Sequence, residues 1–174
     1  VNTDGNAVSL VVNAESGLID FNAVVGTTKA INDLTISGED VEFNGNVTAT
    51  LDIDMSASDN VLLAADVVLT ADNVLFGANT NVDGAQSLQV AATTKAVLGN
   101  VGDITPLTNL DVDGATATLH GDITVKGAVS FADVPDVDLG DNVTVTSTAA
   151  GDITFGTAVT DDLDGPFRLQ ITNT

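Results

Sequence analysis

Apolar and polar residues alternate along the chain in short bursts, with none of the long stripes an amphipathic helix would leave. In Leu51–Met55 (LDIDM), Leu110–Gly114 (LDVDG), Ala128–Phe131 (AVSF) and Asn142–Thr148 (NVTVTST), apolar residues take one parity and Asp, Ser or Thr the other. A period of two sends the two sets to opposite faces of an extended strand. Through Asp59–Gly77 (DNVLLAADVVLTADNVLFG), Asp59, Asp66 and Asp72 each precede an apolar triplet: Val61–Leu63, Val67–Leu69 and Val74–Phe76. That spacing, six to seven residues, exceeds a helical turn and falls short of the usual hairpin period of about 8 to 12. It predicts the short sides of a β-solenoid.

A longer period overlies the short one. SLVV (Ser9–Val12) returns as SLQV (Ser87–Val90) and as RLQI (Arg168–Ile171), each after an Asp-Gly step at Asp4-Gly5, Asp83-Gly84 and Asp164-Gly165, which lie 79 and 81 residues apart. At an offset of 76, Val25-Gly26 matches Val101-Gly102, Leu34 matches Leu110, Gly45 matches Gly121 and Thr48 matches Thr124. Apolar class is kept from Ile36 to Val112, Phe43 to Leu119, Ile53 to Val129 and Val61 to Val137. The unit of about 80 residues divides the chain into a first unit at 1-86, with the tail of a preceding unit at 1-8, a second at 87-167 and the start of a third at 168-174. One continuous solenoid is expected, either a piece of a longer tandem array or a filament subunit whose ends meet like subunits.

Three sides make a coil of roughly 20 residues, hence about four coils per unit and about eight or nine in all. At roughly 4.8 Å per coil the rod is on the order of 40 Å long. Leu34, Ile36, Phe43, Ile53, Leu110, Val112, Leu119 and Val129 are expected to face inward. The rival architecture is a pair of β-sandwiches, which usually anchor their sheets on a buried Trp or a corner Tyr; this chain has neither.

Composition sharpens this all-β reading. Apolar residues are 44% of the chain but aromatics 3%, so the core is aliphatic. β-Branched residues suit a pleated surface and crowd a helix. With 25 acidic and four basic residues the net charge is -21, which repels nucleic acid and anionic membranes. No apolar run approaches the roughly 18 to 20 residues that span a bilayer. Cysteine is absent, so disulfides and thiolate metal sites are unavailable. The chain begins at Val1 without a signal peptide, which is expected of a mature or excised piece.

The Asp-rich segments are the one constellation with chemistry to weigh. Asp52 with Asp54, Asp111 with Asp113, Asp136 with Asp138, and Asp161, Asp162 and Asp164 could offer paired carboxylates to a hard cation such as Ca²⁺. Strict calcium-repeat and EF-hand patterns are missing, and Asp also serves simply to end strands and solubilise a rod. His120, the single histidine, matches Asn44 of the first unit, which argues for a surface turn over a catalytic base. Pairs such as Thr144 and Thr146 raise an ice-binding face, but Leu62, Val68 and Ser130 interrupt any continuous column. No cofactor and no catalysis are expected.

The stretch Gly99–Phe131 (GNVGDITPLTNLDVDGATATLHGDITVKGAVSF), with Asn142–Val159 (NVTVTSTAAGDITFGTAV) and DGPFRLQI, resembles the tandem repeats of filamentous-haemagglutinin-like exoproteins and related large bacterial adhesins. This chain is richer in Asp and poorer in Gly than that pattern. The resemblance implies a right-handed parallel β-helix, export through an outer membrane, and a non-catalytic role in a secreted or cell-surface adhesin shaft or extracellular fibre. Partners would be neighbouring repeats and a host or cell-surface receptor. The alternative is a calcium- or glycan-binding extracellular β-module.

Overall fold

A computed structural model describes residues 8–26, 29, 31–160 and 166–174. Every strand in it belongs to one 17-stranded sheet, and no helix forms among the described residues. Partner strands run parallel throughout. Their partners are separated by as few as 19 residues, from Leu34 to Ile53, and as many as 26, from Val143 to Leu169. One circuit per partner is the geometry of a β-solenoid, as the alternation predicted.

Each turn has three sides. On the first, Leu10, Leu34, Ile53, Val74, Ala96, Ala117, Val137 and Val159 lie in register, so seven steps make seven full turns. The second side carries the column Ile19, Val41, Val61, Val82, Val101, Ile123, Val145 and Ile171, β-branched at every level. On the third side Val67, Leu88, Leu110, Val129 and Ile153 follow one another. The expectation of eight or nine coils is corrected to about seven. It rested on the six-to-seven-residue spacing of Asp59, Asp66 and Asp72, whereas corner loops such as the one between Val101 and Leu110 lengthen the circuit.

All eight residues expected to face inward are buried. Leu51, grouped with Ile53 and Met55 by alternation, is instead exposed, because it sits on the corner before the strand Asp52–Leu63 begins. Several strands bend from one side to the next without ending. Register shifts at Ala14/Leu18, Thr35/Ser37 and Ala71/Asn73 let Leu10–Phe21, Leu34–Phe43 and Val67–Phe76 turn the corner, as bulges do elsewhere. Two aromatic steps stack between neighbouring turns, Phe21 on Phe43 at 5.1 Å and Phe131 on Phe155 at 5.3 Å between ring centroids.

The long repeat does not close on the solenoid. Leu10, Leu88 and Leu169 are equivalent in sequence, yet they lie on the first, third and second sides. From each to the next the chain passes eleven sides, so a unit is three turns and two sides, in place of the expected four coils. Local structure nonetheless repeats. Gly26 and Gly102 both adopt positive φ, +82° and +71°, at corners of different sides. A Cβ on either would overlap the carbonyl oxygen of the equivalent Thr48 or Thr124 in the next turn.

Two outcomes are expected in this framework. Replacing Phe43 with Asp buries a carboxylate in the aliphatic interior and removes a stack, at a cost of about 4 kcal/mol or more. Hydrogen exchange should then show lost protection in the turns carrying Phe21 and Leu63, and unchanged protection would refute the assignment. Gly102→Ala should cost about 1–3 kcal/mol through its backbone conformation alone, with further loss from the overlap. Gly114→Ala, where φ is not positive and the nearest atom is 3.3 Å away, should cost less than about 1 kcal/mol; urea melts compare them.

Candidate functional site

Outward positions carry the carboxylates singled out by sequence. Asp52 and Asp54 lie on the first side, as do Asp136 and Asp138 four turns further on, while Asp111 and Asp113 lie on the third. The structure thus keeps the three pairs apart. Asp161, Asp162 and Asp164 fall outside the described residues, as do the Asp4-Gly5 and Asp164-Gly165 steps. No group of three or more His, Cys, Asp or Glu that could hold a metal ion occurs among the described residues.

Each described pair is engaged by a neutral donor from an adjacent turn. Gln89 Nε2 donates to Asp111 and Asp113, 3.3 Å to each. Thr160 Oγ1 donates to Asp136 at 3.2 Å and also to Asp138. Asn73 Nδ2 donates to Asp52 at 2.7 Å, and the Ser56 amide to Asp54 at 2.9 Å. Stacking at the inter-strand spacing would set like charges roughly 4.8 Å apart, and the columns largely avoid this. Asp52 is followed by Asn73, Lys95 and Thr116 before Asp136. Asp54 is followed by Leu75, Val97 and Thr118 before Asp138. Where Asp20 and Glu42 do meet, Asn44 Nδ2 donates to both, at 3.2 and 3.1 Å.

Sequence reasoning missed a polar ladder at the head of the second side. Asn60 donates to Asp40 at 2.9 Å, Asn81 to Asn60 at 3.4 Å and Asn100 to Asn81 at 3.1 Å. Asn100 then accepts the Asp122 amide at 3.3 Å, and the Asp122 carboxylate accepts the Thr144 amide at 2.7 Å. The signal was present: Asp or Asn precedes Val or Ile at 40–41, 60–61, 81–82, 100–101 and 122–123. Corner carboxylates and amides also accept main-chain N–H groups where the ladder opens. Asp66 takes Ser87 at 2.7 Å, Asp83 takes Ile104 and Thr105 at 3.0 and 2.9 Å, and Asn109 takes Ala128 at 2.8 Å. Among the described residues no buried side-chain polar atom lacks a partner, which low-dielectric interiors demand.

His120 sits on a corner directly beneath Gly140, where any Cβ would meet the imidazole ring. An open groove of about 310 Å³, lined by Asn13, Glu15, Ser37, Glu39 and Asp59, marks the corner between first and second sides in the early turns. A second of about 520 Å³, between Pro135, Phe155 and Thr157, lies at the C-terminal end.

Burial pushes Asp113 above the ordinary carboxylate value, reinforced by Asp111 and Asp133 and opposed by the hydrogen bond from Gln89. The folded state therefore holds this proton more tightly than the unfolded chain does. Stability tied to it is full below the unfolded value of 3.8 and is lost as pH rises through the folded one. Asp113→Asn should accordingly raise the melting temperature at pH 7, with the gain shrinking toward pH 3. A gain that grows on acidification would reverse the sign.

Comparison with protein families, curated proteins and solved structures returns no match to this chain.

Proposed function

We propose that the chain is a non-catalytic structural module, a segment of the shaft of a secreted or cell-surface adhesin or of an extracellular fibre. The observation that carries this reading is the stack of parallel turns, with aliphatic columns in register from the first described turn to the last. Load along or across such a rod is shared by every main-chain ladder and by one continuous interior. The acidic exterior suits exposure to solvent, since net charge far from zero opposes non-specific association. The described Asp pairs already accept hydrogen bonds from neighbouring turns, which supports a solubilising and corner-closing role over a dedicated Ca²⁺ site. The likeness of Gly99–Phe131 to filamentous-haemagglutinin-like repeats points the same way.

Two copies of the chain fused in tandem test the reading. Small-angle scattering should show the rod lengthening by on the order of 35 Å per added copy at an unchanged cross-section. Calcium titrated at fixed ionic strength should raise the melting temperature no more than matched sodium does, because only diffuse screening acts. A saturable calcium-specific rise, or saturable binding to immobilised glycans, would replace the shaft reading with a ligand-binding one.

A further inference from the structure

The pattern Asn-x-Thr occurs twice in the chain, at Asn46-Val47-Thr48 and Asn142-Val143-Thr144. It is the acceptor pattern for N-linked sugars, in which the asparagine side-chain nitrogen takes the sugar. Asn46 stands on the corner between the second and third sides, just before Val47-Thr48 pairs with Leu69-Thr70. Val47 is fully buried, Asn46 is exposed and Thr48 is half-buried. Alternation along the strand thus sets Asn46 and Thr48 on one outward face. Both neighbouring levels at this corner lie within the described residues: the Asn46 carbonyl accepts the Val25 amide below at 2.9 Å, and its side chain meets Val68 above.

The fold uses only half of the Asn46 side-chain amide. Its Oδ1 accepts the Val68 main-chain N–H at 2.9 Å, while its Nδ2 has no hydrogen-bond partner among the described residues. Asparagines elsewhere in the scaffold use the nitrogen: Asn60 Nδ2 donates to Asp40, Asn73 to Asp52, Asn100 to Asn81 and Asn109 to Ser87. The repeat shows that an acceptor oxygen is all this corner requires. At the offset of 76, Asn46 matches Asp122, whose carboxylate accepts the Thr144 amide at 2.7 Å in the same manner. Asn142 has the same arrangement, exposed and with Oδ1 accepting the Arg168 amide at 3.1 Å. An amide at position 46 therefore supplies a nitrogen that the corner does not need.

We propose that Asn46 is a site of N-linked glycosylation, taking a sugar activated at its anomeric carbon by a phosphate ester. Nδ2 attacks that carbon, the bond from carbon to phosphate oxygen breaks, and the phosphate leaves with the electron pair. A C–N bond forms, and one Nδ2 proton passes to a base of the transferase. Oδ1 is untouched, so the bond to Val68 survives and the sugar projects from the side of the rod.

Trypsin separates the two patterns, because cleavage after Lys29, Lys95, Lys126 and Arg168 leaves Asn46 in a peptide of residues 30–95 and Asn142 in one of residues 127–168. In one arm the folded chain is incubated with a soluble asparagine glycosyltransferase and a nucleotide-diphosphate hexose. In the other it is co-expressed with a membrane oligosaccharyltransferase and a polyprenyl-diphosphate oligosaccharide. Mass spectrometry should find sugar on the 30–95 peptide, and the arm that labels it identifies the carrier. Asn46→Asp and Thr48→Val, each with an unchanged β-type circular dichroism spectrum, should lose the sugar, and Thr48→Ser should keep it. The glycosylated chain and Asn46→Asp should melt close to the unmodified chain, whereas Asn60→Asp, whose nitrogen the ladder uses, should melt lower. Four results would each overturn the assignment: no sugar on the 30–95 peptide in either arm, sugar on the 127–168 peptide alone, sugar retained in Thr48→Val, or melting lowered by the sugar as far as by Asn60→Asp. A chain left bare in both arms would still lengthen in tandem fusion, so loss of this site leaves the shaft reading standing.

Discussion

Parallel in-register stacking is the constraint on which the rest depends. Each residue meets, one level up and one level down, whatever occupies the same position in the neighbouring turns, at roughly 4.8 Å. A side chain is therefore selected less for its own burial than for tolerating copies of its own kind. Aliphatic β-branched residues do so along the second-side column from Ile19 to Ile171. Phenylalanines do so by stacking, as Phe21 on Phe43, and amides by donating and accepting in line, as Asn60, Asn81 and Asn100. Carboxylates do not, which is why so acidic a chain interposes Asn73, Lys95 and Thr116 between Asp52 and Asp136.

The same rule gives the corners their chemistry. Where a strand turns from one side to the next, its ladder opens and main-chain N–H groups lose their partners. Asp66, Asp83, Asn109 and Asp122 reach across one level and accept them. Part of the acidity thereby belongs to the scaffold: Asp66, Asp83 and Asp122 close corners as well as carrying charge. Glycines with positive φ, Gly26 and Gly102, serve where the neighbouring carbonyl leaves no room for a Cβ.

Eleven sides per sequence unit has a consequence for the surface. Eleven is not a multiple of three, so equivalent outward residues of successive units appear on different sides, rotated by one third of a turn. Neither a flat repeated face nor a single line of equivalent Asp pairs can arise from two such units. Asp52 and Asp54 on the first side answer Ala128 and Ser130 on the third, outside any common row. Leu34 and Leu110 serve the same inward purpose on different walls of one core, and the repeat survives because each wall asks for the same alternation.

Alternation and the spacing of Asp59, Asp66 and Asp72 determined the β-solenoid, its aliphatic core and the inward residues, because a period of two and a side of about seven residues are local properties that any strand must obey. The asparagine ladder was written in the chain too, as Asp or Asn before Val or Ile at intervals of about 20 residues, and was readable only once the circuit was known. Tertiary structure alone decided the circuit. How far each corner loop delays the chain sets which residues lie above one another, and a side more or less rotates every later residue to another wall. That accumulated phase, invisible in any local window, is what made the turns about seven, put Leu51 on a corner, and distributed the described Asp pairs over the first and third sides.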